Sequence, residues 1–204
     1  GTGCKDVVCP DPTEDCLPKK IWHNPPDVIF PPAGEDVILH TTGLIIVQTP
    51  SGGTATYTIT EPNITRVIRE SPVDFGDHRE MVAEVTEMQL NASGGGGGGG
   101  GIQIRESPTR ASAGGNHGAE SATTDYPADS FFDLFVEIDI PDIGALGLYN
   151  DLPIPLRAEG ITHVPPLGSA YQTPSGWQGV DLRAPDGTLT GYQIIYIIHE
   201  LPPA

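Results

Sequence analysis

The chain has 204 residues, with 27 acidic and 10 basic side chains and a formal net charge of −17. A protein this acidic repels nucleic acid and anionic membrane surfaces, so neither is an expected partner. No run of about 18 apolar residues occurs, which excludes a membrane-spanning helix.

The composition favours β structure. The chain contains 26 glycines and 21 prolines, and its apolar residues are gathered into short β-branched runs. Such runs, separated by turn residues, are typical of strands joined by many turns. The pattern predicts an all-β protein, with an antiparallel β-sandwich or jelly-roll-like domain over residues 36–204.

Residues 1–35 differ from the rest of the chain. They hold seven prolines and all three cysteines. Because proline fixes φ and removes a hydrogen-bond donor, neither a helix nor a central strand fits this segment. We predict an extended N-terminal arm, with Trp22 and Phe30 as its anchors onto the domain or onto a neighbouring subunit.

The cysteines Cys4, Cys9 and Cys16 are candidates for disulfide bonding. Their spacing lacks the C-x2-C pair of most structural zinc sites and the C-x-x-C-H sequence of haem attachment. In an oxidising compartment two of them can bridge within the arm and leave one over, or one can bridge to another chain. Both alternatives remain open.

Strands are predicted from residue 36 onwards. Residues 36–48 form two short strands or one strand bulged at Gly43, and residues 54–60 alternate cleanly. Another strand is predicted over residues 64–69.

Residues 80–90 fit two structures. Met81, Val82, Val85 and Met88 have helical spacing, whereas a strand would present one face formed by Val82, Glu84, Thr86, Met88 and Leu90. We predict a strand, because every neighbouring segment is β.

The domain is interrupted by eight consecutive glycines at residues 94–101. One interpretation is a flexible loop, because glycine loses the most backbone entropy on ordering. The other is close packing of extended backbones, which side-chain-free residues allow.

Two later segments are the clearest strands. Residues 131–140 alternate, which predicts one apolar face from Phe132 to Ile140. Residues 188–199 form the last strand, which is apolar on both faces. Ile194, Tyr196 and Ile198 lie on one predicted face, and Ile195 and Ile197 lie on the other. A strand that is apolar on both faces must be buried on both faces, and the second face would be covered by either the N-terminal arm or another subunit.

Several segments carry a resemblance to a known family. They are IQIRESPTRASAGG at residues 102–115, DSFFDLFVEIDIP at residues 129–141 and GYQIIYIIHE at residues 191–200. These resemble a largely uncharacterised family of secreted β-rich proteins common in planctomycetes and related environmental bacteria. The resemblance implies export and a β-rich fold, and it transfers no catalytic residue. The absence of an initiator Met also fits a secreted chain without its signal peptide.

No motif of a hydrolase, metalloprotease or phosphate-binding loop is present, so we do not expect an enzyme and expect no organic cofactor. Calcium is the one ion that the sequence suggests, as an alternative to plain acidic surface loops. The residues concerned are Asp74, Asp77, Glu80, Asp125 and Asp129. Asn63 and Asn91 match the N-x-[ST] pattern for glycosylation.

Together these features predict a secreted structural subunit of an extracellular fibre, sheath or matrix. Its partners would be copies of itself, joined by exchange of strands or arms. The candidate assembly residues are Trp22, Phe30, Ile194, Ile195, Tyr196, Ile197 and Ile198. The alternative is an extracellular carbohydrate-binding module, in which Trp22, Tyr171 or Trp177 would stack on a polysaccharide.

Overall fold

A computed structural model describes residues 29–94, 100–121 and 123–203. These residues form one large antiparallel sheet, which confirms the predicted all-β antiparallel class. A 3-10 helix, Pro141–Ile143, lies between β9 and β10. The strands are β1 (Gly34–Leu39), β2 (Thr42–Gln48), β3 (Thr54–Arg69), β4 (Val73–Asp74), β5 (Arg79–Gly94), β6 (Gly101–Glu106), β7 (Ser112–His117), β8 (Ala128–Leu134), β9 (Val136–Ile140), β10 (Ala145–Asn150), β11 (Ile154–Ile161), β12 (Ala170–Gln172), β13 (Val180–Arg183) and β14 (Leu189–Glu200).

The sheet closes on itself. Consecutive short strands share one edge of a long neighbour: β1 and β2 both pair with β3, and β6 and β7 both pair with β5. β8 and β9, β10 and β11, and β12 and β13 likewise continue one another. These pairs and the long strands β3, β5 and β14 make eight antiparallel rows, and β14 pairs with β2 to complete the ring. The apolar faces therefore enclose one central core.

The β8–β9 row follows its predicted alternation. Phe132, Leu134, Val136, Ile138 and Ile140 are all buried. Phe135 separates the two strands without changing which residues point inward. Closing the sheet buries this face completely, and the cluster it joins runs through every row.

A bulge in β5 changes the predicted face of that strand. Arg66 pairs with Glu87 and Val67 pairs with Val85, so Thr86 is an extra residue. The inward residues are consequently Met81, Ala83 and Val85 before the bulge and Met88, Leu90 and Ala92 after it. The prediction of a strand is correct, but Val82 and Glu84 lie on the exposed side.

A second bulge lies in β14, between Ile194 and Tyr196. Ile194 and Ile197 point inward and are buried, and so is His199. Ile195, Tyr196 and Ile198 are only partly buried. The predicted grouping of Ile194 with Tyr196 and Ile198 is therefore wrong, because the extra residue shifts the alternation by one.

The remaining boundaries differ little from expectation. Residues 54–60 and 64–69 belong to one strand, β3. The first strand begins at Gly34, close to the predicted domain boundary, and Phe30 already packs in the core. Residues 95–99 of the glycine run lie outside the described residues. Gly94 ends β5 with a φ of 121°, and a Cβ there would lie 2.7 Å from the Thr56 carbonyl oxygen. A side chain at residue 94 would therefore clash with β3.

Candidate functional site

The interior of the closed sheet is not completely filled. A cavity of about 50 Å³ lies among inward-facing side chains of β1, β3, β5, β7, β8, β11, β12 and β14. A second cavity of about 20 Å³ lies beside it. Met88, Leu134, Leu156 and His199 line both cavities. The two spaces are therefore neighbours, and these side chains separate them.

The two cavities differ in polarity. Apart from His199, the smaller one is lined by apolar side chains such as Ile45, Ile138 and Ile194. The larger one is also mainly apolar, but Thr65, Asn116 and His199 contribute polar atoms to its wall. The interior thus has an aliphatic end and an end with a few polar groups, as small-molecule sites do, but its volume is well below the roughly 300–1,000 Å³ of such sites, so a ligand would have to displace lining side chains.

Three polar atoms in the larger cavity are unpaired. Thr65, Asn116 and His199 are each at most 7% exposed. Thr65 Oγ1, Asn116 Oδ1 and His199 Nε2 have no hydrogen-bond partner among the described residues. Leaving a buried polar atom unpaired costs about 1–3 kcal/mol. Such a cost at three positions around one cavity indicates a place where another molecule supplies the partners.

The imidazole of His199 is neutral at physiological pH. Its burial lowers the pKa of the side chain to about 4, because the charged form loses its hydration. A neutral imidazole has one nitrogen that donates and one that accepts. His199 can therefore pair with either a donor or an acceptor of a neutral ligand.

The other polar groups around the larger cavity already have partners. Tyr171 Oη and Ser130 Oγ lie 2.6 Å apart, and burial raises the pKa of the tyrosine. Arg69 holds both carboxylate oxygens of Asp36, at 2.7 and 3.0 Å. Its positive charge is thus neutralised by Asp36. An anionic ligand group therefore finds no unpaired cation among the side chains that line this cavity.

Gly114 allows the wall of the cavity to pack closely. It lies opposite Phe132 in the β7–β8 pair. A Cβ at Gly114 would lie 2.2 Å from the Phe131 carbonyl oxygen and 2.3 Å from Phe132 Cδ1. Only glycine fits here, because the Phe132 ring packs directly on the β7 backbone at Gly114.

A separate cluster of metal-ligating side chains lies where β7 ends beside the start of β5. His78, Glu80 and His117 offer ligand atoms that all lie within 4.8 Å of one another. Glu80 Oε1 lies 3.0 Å from His117 Nδ1 and 3.3 Å from His78 Nε2. His78 Nδ1 lies 2.7 Å from Asp77 Oδ1. Hydrogen bonding to His117 and then His78 lowers the pKa of Glu80, and hydrogen bonding to Asp77 raises the pKa of His78.

Neither site follows from the sequence analysis. His199 lies within an isoleucine-rich strand, and the bulge that turns it inward has no sequence signal. His78 and Glu80 are close in sequence, but His117 lies 37 residues beyond Glu80. The β5–β7 register, in which Glu80 pairs with His117, brings them together.

Three of the six described assembly candidates belong to the core of their own domain. Phe30, Ile194 and Ile197 are 3%, 0% and 8% exposed, so they are not available to a second subunit. Phe30 stacks edge-on against Tyr126 at 5.4 Å, and its backbone N–H donates to Asp125. Phe30 thus contacts its own domain, which is one of the two placements predicted for it, whereas burial of Ile194 and Ile197 in the interior corrects their assignment as assembly residues. Ile195, Tyr196 and Ile198 remain partly exposed. Cys4, Cys9, Cys16 and Trp22 lie outside the described residues.

The two glycosylation candidates have different surroundings. Asn63 is 7% exposed, and its amide exchanges hydrogen bonds with the Thr41 backbone at 3.0 and 2.8 Å. A buried side chain with both amide atoms bonded cannot accept a sugar in the folded protein, so this prediction is wrong. Asn91 is less buried and donates to the Pro62 carbonyl at 2.6 Å. Its glycosylation stays a prediction.

The predicted calcium residues are divided among other partners. Asp125 forms a buried ion pair with Arg79, with Nε 2.9 Å from Oδ1. It is therefore not free to bind calcium. Asp129 accepts from the Gly160 N–H at 3.1 Å, and Asp74 accepts from the Gly76 N–H at 2.7 Å. Asp77 and Glu80 contact histidines rather than forming an all-oxygen site.

The residues predicted to stack on sugars, Tyr171 and Trp177, have different surroundings. Tyr171 is 6% exposed and faces the interior cavity, so it cannot stack on a polysaccharide. Trp177 is partly buried and packs against the core. Its role in sugar binding stays a prediction.

Comparison with known proteins shows the fold alone. No family model matches the chain, and no curated protein matches it. The chain is similar to the solved structure of DynF from the dynemicin biosynthesis pathway of Micromonospora chersina, with a TM-score of 0.67. The two share 18% sequence identity over 85% of this chain and 82% of that one. In the residues that the structure describes, no helix is long and apolar enough to cross a membrane.

Proposed function

We propose that this protein binds a small, largely apolar molecule inside the closed sheet. The observation that carries the proposal is the set of three buried, unpaired polar atoms on the wall of an otherwise apolar cavity. A molecule with one polar group would pair with these atoms and bury its apolar part among the aliphatic side chains of the second cavity. That arrangement recovers hydrogen bonds and removes apolar surface from water.

The polar group of this ligand is neutral and includes a hydroxyl. Asn116 Oδ1 needs a donor, Thr65 Oγ1 can both donate and accept, and His199 Nε2 takes a single hydrogen bond. A hydroxyl supplies both a donor and acceptors in a small volume. A carboxylate is disfavoured, because Arg69 is already paired with Asp36 and the protein carries a net charge of −17.

Met88 is the most adaptable of the side chains that line both cavities. Its side chain lines both cavities and is 3% exposed. Methionine is unbranched and repacks at low cost. A ligand longer than the larger cavity would have to displace the Met88 side chain to extend towards Ile138 and Ile194.

Thermal unfolding in the presence of three matched compounds tests this proposal. The compounds are an alkylphenol, the corresponding alkylbenzene and the corresponding alkylbenzoate. We expect the alkylphenol to raise the melting temperature most, and to lose most of this effect in the Thr65→Val variant. Equal shifts for all three compounds, or an unchanged alkylphenol shift in Thr65→Val, would contradict the proposal, as would no shift with any compound.

A second candidate is the self-assembling, secreted subunit that the sequence predicts. The observation that favours it is a group of exposed apolar side chains on the outer face: Val37 in β1, Ile68 in β3 and Val82 in β5, which are 48%, 49% and 53% exposed. Ile68 lies opposite Glu35 and Glu84, two residues from Val37 and Val82 respectively, so the three are diagonal neighbours. Contiguous exposed apolar side chains are typical of surfaces that contact another protein.

Sedimentation velocity of Ile68→Lys and Val82→Lys tests this second candidate. Both variants should dissociate any oligomer formed by the unaltered chain. Leu152→Lys is the matched control, because Leu152 is 69% exposed and follows β10, away from this group. A monomer at all concentrations, or equal effects of all three variants, would rule out assembly through this face.

A further inference from the structure

We propose that His78, Glu80 and His117 bind one divalent transition-metal ion, with Zn²⁺ as the best match. Two imidazoles and one carboxylate are a donor set that zinc takes in proteins, with the remaining position open to water or another ligand. Ca²⁺ and Mg²⁺, which bind oxygen ligands, are disfavoured by the two nitrogen donors. This ion site is independent of the interior cavity and does not rest on the proposed ligand.

The distances fit tetrahedral zinc. Zinc bonds of about 2.0–2.2 Å place the ligand atoms of a tetrahedron about 3.3–3.6 Å apart. Glu80 Oε1 lies 3.3 Å from His78 Nε2 and 3.0 Å from His117 Nδ1, and all three ligand atoms lie within 4.8 Å. The two histidine nitrogens lie at most 4.8 Å apart, so rotation of the half-exposed His117 and Glu80 side chains would bring all three ligand atoms to zinc distances.

The orientation of His78 is already that of a metal ligand. Its Nδ1 lies 2.7 Å from the Asp77 carboxylate, and Phe75 stacks on its ring at 5.3 Å with an interplanar angle of 12°. A carboxylate on the second imidazole nitrogen fixes the tautomer and leaves Nε2 free to bind an ion. Nε2 faces Glu80 Oε1, so two acceptors face each other unless a proton or a metal ion lies between them.

The backbone holds the three ligands in place. Glu80 and His117 are direct partners in the β5–β7 pair, and the Gly118 N–H donates to the Arg79 carbonyl at 2.8 Å just beyond them. The turn before β5 is fixed by the Phe75 N–H, which donates to the His78 carbonyl at 3.0 Å. The site therefore needs little ordering when an ion binds, which favours affinity.

The open position of the ion would face solvent. The side chains of Glu80 and His117 are 45% and 47% exposed, while that of His78 is 18% exposed. The protein thus supplies three ligands, and water or an added ligand completes the coordination. We expect affinity in the micromolar range, as for an exposed three-ligand site.

Isothermal titration of the full chain with ZnCl₂ tests the inference, with the bound metal counted after dialysis. The cysteines Cys4, Cys9 and Cys16 offer ligands for a separate zinc ion. The quantity compared is therefore the number of zinc ions bound per chain in the unaltered chain and in each variant. We expect Glu80→Gln and His117→Ala each to remove one bound zinc ion per chain, or to weaken its binding at least about 10-fold. Asp77→Asn should weaken binding of the same ion about 10-fold, since Asp77 supports His78 from the second nitrogen.

The matched control is His40→Ala. His40 Nδ1 pairs with Glu61 Oε1 at 2.9 Å on the surface, and no third metal-ligating side chain accompanies this pair among the described residues. Zinc binding should be unchanged in this variant. Equal stoichiometry and affinity in the unaltered chain, Glu80→Gln and His117→Ala would overturn the inference, as would an equal loss in His40→Ala. Circular dichroism confirms that each variant is folded.

Discussion

Asn116 and His117 are consecutive residues of β7 whose side chains lie on opposite faces of the closed sheet. Asn116 is 5% exposed and lines the interior cavity, whereas His117 contacts Glu80 on the outside. Successive side chains of a strand alternate between its faces, so one short strand contributes to both candidate sites. Whatever restrains β7 from outside also restrains the wall of the cavity.

Two buried threonines should respond in opposite ways to loss of their hydroxyl group. Thr65 Oγ1 is unpaired, whereas Thr41 Oγ1 donates to Asn63 Oδ1 at 3.1 Å. Thr65→Val should therefore raise the free energy of unfolding of the ligand-free protein by about 1 kcal/mol, and Thr41→Val should lower it by about 1 kcal/mol or more. Urea unfolding measures both. Destabilisation by Thr65→Val would show that its hydroxyl group has a partner, such as bound water.

Gly114 should not tolerate a side chain. Because a Cβ there would overlap the Phe131 carbonyl and the Phe132 ring, Gly114→Ala should destabilise the protein by about 2–4 kcal/mol. Gly53→Ala is the control, since its nearest contact would be an ordinary 3.4 Å to Thr49 Oγ1. It should change stability by less than about 1 kcal/mol. Thermal unfolding compares the two, and equal effects would show that the strands separate readily at Gly114.

Glu106 should make stability depend on pH. Burial raises its pKa from 4.5 to about 7. The folded state therefore binds the proton more tightly than the unfolded chain, and this contribution to stability is complete below about pH 4.5. It is lost as the pH rises to about 7.

The Glu106→Gln variant removes that dependence. It should match the unaltered protein near pH 4.5 and be more stable at pH 8, by about 1–2 kcal/mol once partial solvent exposure is allowed for. Urea unfolding at the two values of pH measures the difference. Glu159→Gln, on an exposed residue of β11, is the control for removing one surface charge. A stability gain of the same size at both pH values would contradict the prediction.

Phe30 should be required for folding stability rather than for association. It is 3% exposed and packs on Tyr126, so Phe30→Ala should cost about 3 kcal/mol or more. Phe75→Ala, at a residue 57% exposed, should cost less than about 1 kcal/mol. Unfolding and sedimentation experiments together separate the two roles. Loss of oligomer with unchanged stability in Phe30→Ala would restore its assignment as an assembly residue.

The sequence predicted local structure where a strand keeps its regular period. Residues 131–140 alternate without interruption, and their buried face was predicted correctly. In β5 the inward residues Met81, Val85 and Met88 are spaced by four and three, as in a helix, because Thr86 inserts one residue between two regular halves. The inward residues of a bulged strand and of a helix turn share this spacing, so periodicity alone does not distinguish the two structures. The β character of the neighbouring segments favours the strand.

The cavity could not be predicted, because it exists only when the ring closes. The pairings that close it join β2 to β14 and β3 to β5, and the first of these brings Leu44 to Ile198 across most of the chain. Alternation along one strand does not reveal which strand will lie beside it. Thr65, Asn116 and His199 come from three different rows, so their convergence follows from topology alone.

The bulge in β14 has a consequence for how this interior could change. If the same residues formed a regular strand with no bulge, the inward positions after Ile194 would be Tyr196 and Ile198, and the imidazole of His199 would face solvent. Deleting Ile195 would thus restore the regular alternation while keeping Ile197 and His199 inward, so the inward histidine depends on how the strand accommodates this one extra residue. In a closed sheet of this kind, a single bulge decides which side chains of the rest of its strand face the interior.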